Sequence, residues 1–406
     1  MAGNTLLTID MITRMAVRLW KNSNAFLQQI DTQYGAEFAI TGAKIGDTLR
    51  IRLPNEYTVA DGPAASVQDT QEKFTTLSLS TQRHIDVGFT TAERTLKLDD
   101  YIERILLPKL TFLTGNVAKD VMSVVDGGVC NFVSNVDGSG AIIAPNQFTA
   151  LQARAALVNN SVPEMRMRLI YSPDTGANIV GTLSGLLNPA PEVSRQYRMG
   201  KMYDALGFKW FEDQTVINHT TGSFSAGGTV NGANQTGLNI VVNAITGTFA
   251  KGDFITFDGV NGINRITRAS SGKLRQFAVT SDVITGATSI PIYPPITPPV
   301  GGQDVQYETV TASPADGAQM RLVNKANEVY VKNIGYVPDA FTLATADLWM
   351  PGAGVVEASR HEKDGISMRS IAAYVIGTDQ SVDRLDVLFG KLAVRPEWGV
   401  AMADAA

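Results

Sequence analysis

Between Thr221 and Ala312 the chain loses the residues that build helices, and this limits its possible folds more than any other feature. None of its 12 methionines falls between Tyr203 and Gln319, and from Gly207 to Arg321 the only leucines are Leu238 and Leu274. Leu and Met are good helix formers, so helix is disfavoured there. In their place, thirteen of the 37 glycines lie from Gly222 to Gly302, and five of the 17 prolines crowd Pro291 to Pro299. They separate short β-branched and aromatic runs at Leu238–Val242, Phe254–Phe257 and Gln276–Thr280. Many short strands punctuated by Gly and Pro predict a small all-β sandwich or barrel. About 90 residues is enough for an autonomous domain.

The flanks mix helical and strand patterns. Gly207–Asp213 (GFKWFED), Phe341–Leu348 and Ile366–Ile376 read as strands, so the simplest account is a β domain inserted into a loop of an α/β host. Ile9, Ile12, Ala16, Leu19 and Trp20 recur at three- and four-residue steps, predicting an amphipathic N-terminal helix. Thr48–Leu53 and Thr76–Leu79 alternate polar and apolar residues, the pattern of two strands with opposed faces. The Asp-, Gly-, Ala- and Ser-rich segment Pro54–Lys73 between them suggests a long hairpin reaching away from the body. Its polar tip is expected to be poorly ordered in a free subunit.

The longest helical stripe runs from Asp99 to Val125, through Ile102, Ile105, Leu106, Leu110, Leu113, Val117, Val121 and Val124. Asp99 or Asp100 is placed to cap it. Pro108 lies inside the stripe, where it removes a backbone donor and crowds the preceding turn, so a kink or break is expected near Arg104–Leu107. At 1.5 Å per residue such a helix spans roughly 40 Å, a spine rather than a core helix.

The 406 residues, 44% of them hydrophobic, exclude a disordered or collagen-like chain and allow two or three cores. A net charge of -5 supplies no overall positive field for sequence-specific DNA or RNA binding. One cysteine, Cys130, and three histidines, His84, His219 and His361, rule out an intrachain disulfide and a Cys/His zinc cluster, and fit a reducing compartment. Met1–Trp20 lacks the plan of a secretory signal, and no run approaches the roughly 18 apolar residues of a membrane span.

Signatures of catalysis are incomplete. Gly200-Lys201, Gly272-Lys273 and Gly390-Lys391 lack the following hydroxyl residue of a phosphate-binding loop. His361-Glu362 lacks the second histidine of a zinc protease, and Ser184 in GTLSG is one place out of register for a nucleophile elbow. Asp174-Thr175-Gly176 follows an apolar strand, Arg168–Tyr171, as an aspartic protease carboxylate does, but there is no second copy. The plainer reading is helix initiation at Pro173-Asp174. His84 reads as a packed or hydrogen-bonded strand residue, His219 as a turn or hinge at the edge of the insert, and His361 as solvated. Cys130 reads as a small buried hydrophobe. Asp99-Asp100 and Asp383/Asp386 read as helix-start and solvated-face charges. No catalytic, cofactor-binding or metal-ligating residue and no cofactor is assigned.

Lys251–Val279 (KGDFITFDGVNGINRITRASSGKLRQFAV), His219–Gly222 (HTTG), Arg384–Met402 (RLDVLFGKLAVRPEWGVAM) and Lys44–Leu53 (KIGDTLRIRL) closely resemble the major coat proteins of tailed phages. The nearest type is the Salmonella short-tailed phage coat protein, which carries an inserted β-barrel. The resemblance implies an α+β, Hong Kong 97-type capsid fold. Its parts would be an N-terminal arm (1–42), an extended β-hairpin loop (43–91) and a peripheral domain with a spine helix (92–136). An axial domain (137–221 and 313–406, with returning peripheral strands) would be interrupted by the inserted barrel (222–312).

The function implied is a major capsid protein that self-assembles in the host bacterial cytoplasm into an icosahedral shell around a double-stranded DNA genome. It would not be an enzyme. Its partners would be many copies of itself as pentamers and hexamers, a scaffolding protein, a portal protein, in some cases a decoration protein, and packaged DNA through weak non-specific contact, with no membrane. The rival readings are a phage tail or carbohydrate-binding structural protein, and a hydrolase with a β accessory domain.

Overall fold

The computed structural model describes residues 9–20, 24–33, 48–59, 62–63, 65, 67, 70, 72–90, 102–163, 166–183, 201–299, 305–352 and 356–406. It divides into two compact units: Met1–Ile51, Thr75–Val121 and Phe341–Leu392 form one, and Arg52–Phe74, Met122–Ala340 and Ala393–Ala406 the other.

The first unit is built on a sheet whose strands run in the order Phe341–Ala346, Gln380–Ala393, Ile366–Val375, Val356–Lys363, with Thr81–Thr90 also paired to Gln380–Ala393. The arm helix Ile9–Trp20 packs on the strands Val356–Lys363 and Ile366–Val375 through buried Thr13, Ala16, Val17 and Trp20. Thr13 can be buried because its hydroxyl donates to the Ile9 carbonyl at 2.8 Å. Thr48–Arg52 and Phe74–Ser78 form the expected two-stranded pair, with Ile51 and Leu77 buried.

The spine helix breaks where Pro108 predicts. A π-helical turn, Ile102–Leu106, precedes the α-helix Leu107–Met122, which tightens into a 3-10 turn at Ser123–Val125. Proline has no N–H for the α-helical bond and its ring crowds the carbonyl four residues back, so the wider turn takes up the mismatch. Leu106, Leu110, Leu113, Val117 and Val121 of the predicted stripe are buried. Asp99 and Asp100 lie outside the described residues.

The reading of Asp383 and Asp386 as solvated charges is overturned. Asp386 is fully buried and accepts from Arg369 Nη2 at 2.5 Å, Arg369 Nε at 3.1 Å and Gln82 Nε2 at 3.0 Å. Asp383 holds the buried Lys109 ammonium of the spine helix, through its backbone carbonyl at 2.7 Å and Oδ2 at 3.3 Å. Both acids belong to a central strand paired on each side, so alternation turns them onto covered faces that sequence spacing alone reads as open.

The second unit contains a seven-stranded sheet in the order Asn131–Val133, Gly399–Ala405, Val329–Tyr336, Arg168–Tyr171, Phe208–Glu212, Asp204–Ala205, with Asn218–Thr220 paired to Val329–Tyr336. The helix Gln147–Asn159 starts at a capping box in which Asn146 and Thr149 bond reciprocally. Leu157, Met167, Leu169, Tyr171, Trp210 and Met402 fill the core between this sheet and its helices.

The described residues of the Gly- and Pro-rich region are built on β-strands, as composition predicts, with a 3-10 turn at Val305–Tyr307, and among them no closed barrel forms. Its main sheet is open, in the order Gly237–Val241, Ser289–Ile296, Phe277–Val279, Phe254–Phe257, Met320–Leu322, and two further strand pairs stand apart from it. The end of its edge strand is met by backbone: Val230 bridges Val242, with Asn231 N donating to Val241 O at 3.0 Å and Asn243 N to Thr229 O at 2.8 Å, and the Gln235 amide bonds Val241 N at 2.6 Å and Val241 O at 2.9 Å beside them. Ile240, Phe249, Phe257, Phe277, Ile290, Ile292 and Met320 form the core.

Candidate assembly elements and the seat of the insert

The strands Asn218–Thr220 and Val329–Tyr336 carry the chain into and out of the insert, paired antiparallel with His219 opposite Tyr330. His219 is therefore no turn residue: it is buried in a strand, where alternation aims it inward. Its Nε2 lies 2.9 Å from Asp253 Oδ1 and its Nδ1 3.5 Å from Asp126 Oδ1. Lys332, fully buried, donates to Asp126 Oδ1 at 2.8 Å and to the Gly252 carbonyl at 3.2 Å. Asp253 Oδ2 accepts from Gly222 N at 3.0 Å and Ala250 N at 2.8 Å.

Two carboxylates thus face one lysine and one histidine, a set that is neutral when His219 is protonated. Burial pushes the Asp126 carboxyl up, but Lys332 and the His219 hydrogen bond outweigh it and hold the pKa at about 2. Burial likewise opposes charge on His219, yet its hydrogen bonds to Asp126 and Asp253 keep its pKa above the ordinary 6.5. Gly252, with φ +95, closes the seat: a Cβ there would lie 3.0 Å from both Asp126 Oδ1 and Lys332 Nζ.

A second joint lies at the sheet edge. Gln276 of the insert accepts from Phe132 N at 2.7 Å and donates to Phe132 O at 3.1 Å, so its amide pairs with the edge strand as a further strand would. Behind it Phe132, Ile142, Phe254, Ala278, Tyr330, Ala401 and Ala403 form one apolar cluster spanning insert and sheet. Burying an aromatic such as Phe254 contributes about 2–3 kcal/mol. The insert and the seven-stranded sheet share a core.

A third joint ties the base of the extended loop to the insert. Arg265 lies between Glu56 (Nη2–Oε1 2.9 Å) and Glu397 (Nη1–Oε1 2.9 Å), and Glu397 also accepts from the Tyr293 hydroxyl at 3.2 Å. Arg268 Nη2 is 3.3 Å from Glu56 Oε2 and donates to the Gln306 carbonyl. The Tyr307 hydroxyl donates to Asn55 Oδ1 at 3.4 Å, and Lys73 Nζ sits 3.6 Å from the centre of the Tyr307 ring. Burial pushes the Glu397 carboxyl up, but Arg265 overrides it and holds it below the ordinary value.

Large apolar side chains stand exposed in both units. Val59 on the loop is 93% exposed, Phe112 on the spine helix 69%, Trp349 77% and Ile376 85%.

The remaining candidates fall apart as catalytic groups. Asp174 is exposed in the first turn of the helix Pro173–Leu183, while Thr175 is buried and donates to Asp404 Oδ2 at 2.6 Å, so the Asp-Thr-Gly run initiates a helix. His84 is paired with Asp86 at 3.0 Å. His361, read as solvated, instead lies 2.5 Å from Asp10 Oδ1 of the arm helix. Cys130 is buried and unbridged, and burial pushes its thiol up. Ser184 lies outside the described residues. Among the described residues no group of His, Cys, Asp or Glu is placed to hold a metal ion, and no helix is long and apolar enough to cross a membrane. Sequence reading missed Asp253, Lys332, Gln276 and Arg265 altogether, because each finds its partner far away in the chain.

None of the curated proteins compared matches this sequence. Solved structures with a similar chain path include that of Mycobacterium phage Che8 (11% identity, 93% of this chain and 90% of that one, TM-score 0.48). The capsid of the cyanophage P-SCSP1u follows at 8% identity, 89% and 84% coverage and TM-score 0.45. A virus-like particle from Pyrococcus furiosus has 8% identity, 96% and 97% coverage and TM-score 0.40. The assignment rests on sequence rather than on these likenesses: the family model described as "P22 coat protein - gene protein 5" matches residues 1–404. Its fold is the mixed α+β class expected from the resemblance, with few helices and dominant sheets, and among the described residues no closed barrel is present. The chain belongs to the P22 coat protein family and is a phage major capsid protein, a structural protein of which many copies form the icosahedral shell.

Proposed function

We propose that this shell encloses a double-stranded DNA genome, that the protein works without catalysis, and that assembly takes place in the host cytoplasm with scaffolding and portal proteins and, in the mature particle, a decoration protein. The observation that carries this reading is that buried or half-buried charged groups such as Asp253 and Arg265 tie one segment of the chain to another, while Val59, Phe112, Trp349 and Ile376 remain open to solvent. Contact with packaged DNA is weak and non-specific, consistent with a net charge of -5. Residues 1–42 serve as arm, 43–91 as extended loop reaching a neighbouring subunit, 92–136 as peripheral domain, and 137–221 with 313–406 as axial domain and returning strands. Modest contacts from arm and loop sum over a closed shell while leaving single errors reversible.

The insert, 222–312, acts as a folding nucleus and inter-capsomer contact. Its shared core with the seven-stranded sheet supports the first role. Electron microscopy of purified protein with and without a scaffolding protein tests the whole reading: closed shells or aberrant tubes are expected, and persistent small oligomers would overturn it. Replacing Gly222–Ala312 with a short linker tests the insert, whose assembly role is wrong if shells then form with normal yield and size.

A further inference from the structure

We propose that Arg265 and Arg268 are positioning residues for assembly, which hold the base of the extended loop against the insert and so aim its tip at a neighbouring subunit before contact. The inference rests on the reading of residues 43–91 as a loop that docks on a neighbour.

The two arginines sit on a single stiff turn between the strands Asn261–Ile263 and Ser270–Leu274. Asn264 Oδ1 accepts from Ile266 N at 2.9 Å and Thr267 N at 3.0 Å, Arg268 N donates to Asn264 O at 2.8 Å, and Asn264 N donates to Ala269 O at 2.9 Å. Arg268 itself takes the left-handed conformation, φ +59. Arg265 is anchored on one side by Glu397, in the 3-10 turn Pro396–Trp398, and offers its other nitrogen to Glu56. The loop is thereby tied through a planar, directional group to a fixed part of the body.

Both legs of the loop are held. Glu56 and Asn55 lie on the outgoing leg and Lys73 on the returning one, and Tyr307 touches the second and third of these. Arg268 braces the Gln306 carbonyl beside Tyr307 while reaching Glu56, so one side chain links the two grips. Holding both legs removes much of the directional freedom of the tip, and a contact made from a pre-aimed segment loses less entropy than one made from a free segment.

Glu56→Ala is the discriminating variant, because it removes the loop's own anchor and leaves the Arg265–Glu397 pair intact. In the free subunit, chymotryptic cleavage at Tyr57 should accelerate about tenfold, and the initial rate of shell assembly at fixed concentration should fall about tenfold, with the melting temperature of the subunit unchanged. A parallel chain in which residues 58–70 are replaced by a short Gly-Ser link separates this inference from the reading beneath it. If that chain assembles normally, the loop is no inter-subunit contact and the reading fails. If it does not assemble while Glu56→Ala assembles at the wild-type rate, the reading stands and the positioning role is overturned. A loss of assembly in Glu56→Ala accompanied by an equal loss of thermal stability would likewise overturn it, since the effect would then be ordinary destabilisation.

Discussion

Replacing Asp253 by alanine tests whether the polar seat holds the insert in place. Asp253 is fully buried and accepts three hydrogen bonds, from His219 Nε2 at 2.9 Å, Gly222 N at 3.0 Å and Ala250 N at 2.8 Å. Alanine leaves the buried Gly222 N and the half-buried Ala250 N without their acceptor, at about 1–3 kcal/mol for a fully buried donor. It also leaves His219 and Lys332 facing Asp126 alone, and breaking a buried charge pair from one side costs about 3–5 kcal/mol. These losses overlap because they share one carboxylate, so the expected total is about 4 kcal/mol. With a urea slope of roughly 2–3 kcal/mol/M for a unit of this size, the midpoint should fall by roughly 1.5–2 M.

Asp253→Asn keeps an oxygen for the backbone donors and should lose about half as much. The measurement is urea unfolding, together with amide hydrogen exchange in the strand Ser289–Ile296, which reports the insert directly. Asp258→Ala serves as control: Asp258 sits on the same domain in an exposed pair with Arg321, and its loss should leave the midpoint where it was. A fall of less than about 1 kcal/mol for Asp253→Ala would mean that the apolar cluster alone seats the insert, and the account of the polar seat would be wrong.

Protection of the insert should depend on pH from both sides. His219 has a raised folded pKa, so its contribution is complete below the ordinary 6.5 and is lost as pH rises through the raised value. Asp126, held at about 2, contributes fully above 3.8 and loses its contribution as pH falls towards 2. Hydrogen exchange corrected for intrinsic rates should therefore weaken on the alkaline side in the wild type and stay level in His219→Phe, and a level wild-type profile would contradict the assignment. Lys109→Met should destabilise its unit by about 3 kcal/mol in thermal unfolding by removing the buried ammonium that Asp383 faces, and Lys109→Met with Asp383→Leu should recover most of that loss. Phe112→Ser and Trp349→Ser should leave subunit melting unchanged and reduce shell yield; normal yields from both would remove those side chains from the interface.

Local rules carried a large part of the fold. The scarcity of Leu and the absence of Met between Gly207 and Gln319, with Gly and Pro in their place, marked the insert as β, and the strands found at Phe254–Phe257 and Gly237–Val241 fall on the runs that composition isolates. Pro108 located the break in the spine helix to within its own turn. These are effects of neighbours in sequence. The open form of the insert was not legible, because closure depends on which distant segments pair, as Val230 does with Val242 on one side and Ala318 on the other. His219, Asp383 and Asp386 were misread for a related reason. Each lies on a strand, and which face a strand covers depends on pairings 17 to 304 residues away in the Asp386 network.

The low charged fraction, 18%, takes on a more definite meaning beside these pairings. A subunit that must meet neighbours on several sides has reason to keep apolar surface open, yet its own segments still need to be fixed in direction. An arginine between two carboxylates, or a lysine between a carboxylate and a carbonyl, fixes direction through charged hydrogen bonds. Six of the described charges stand at such joints: Arg265 and Arg268 where the loop leaves the body, Lys332 and Asp253 where the insert enters, and Lys109 and Asp383 where the spine helix meets its sheet. At these joints charge supplies stiffness within the subunit, and exposed apolar side chains such as Phe112 and Trp349 are left for contact between subunits.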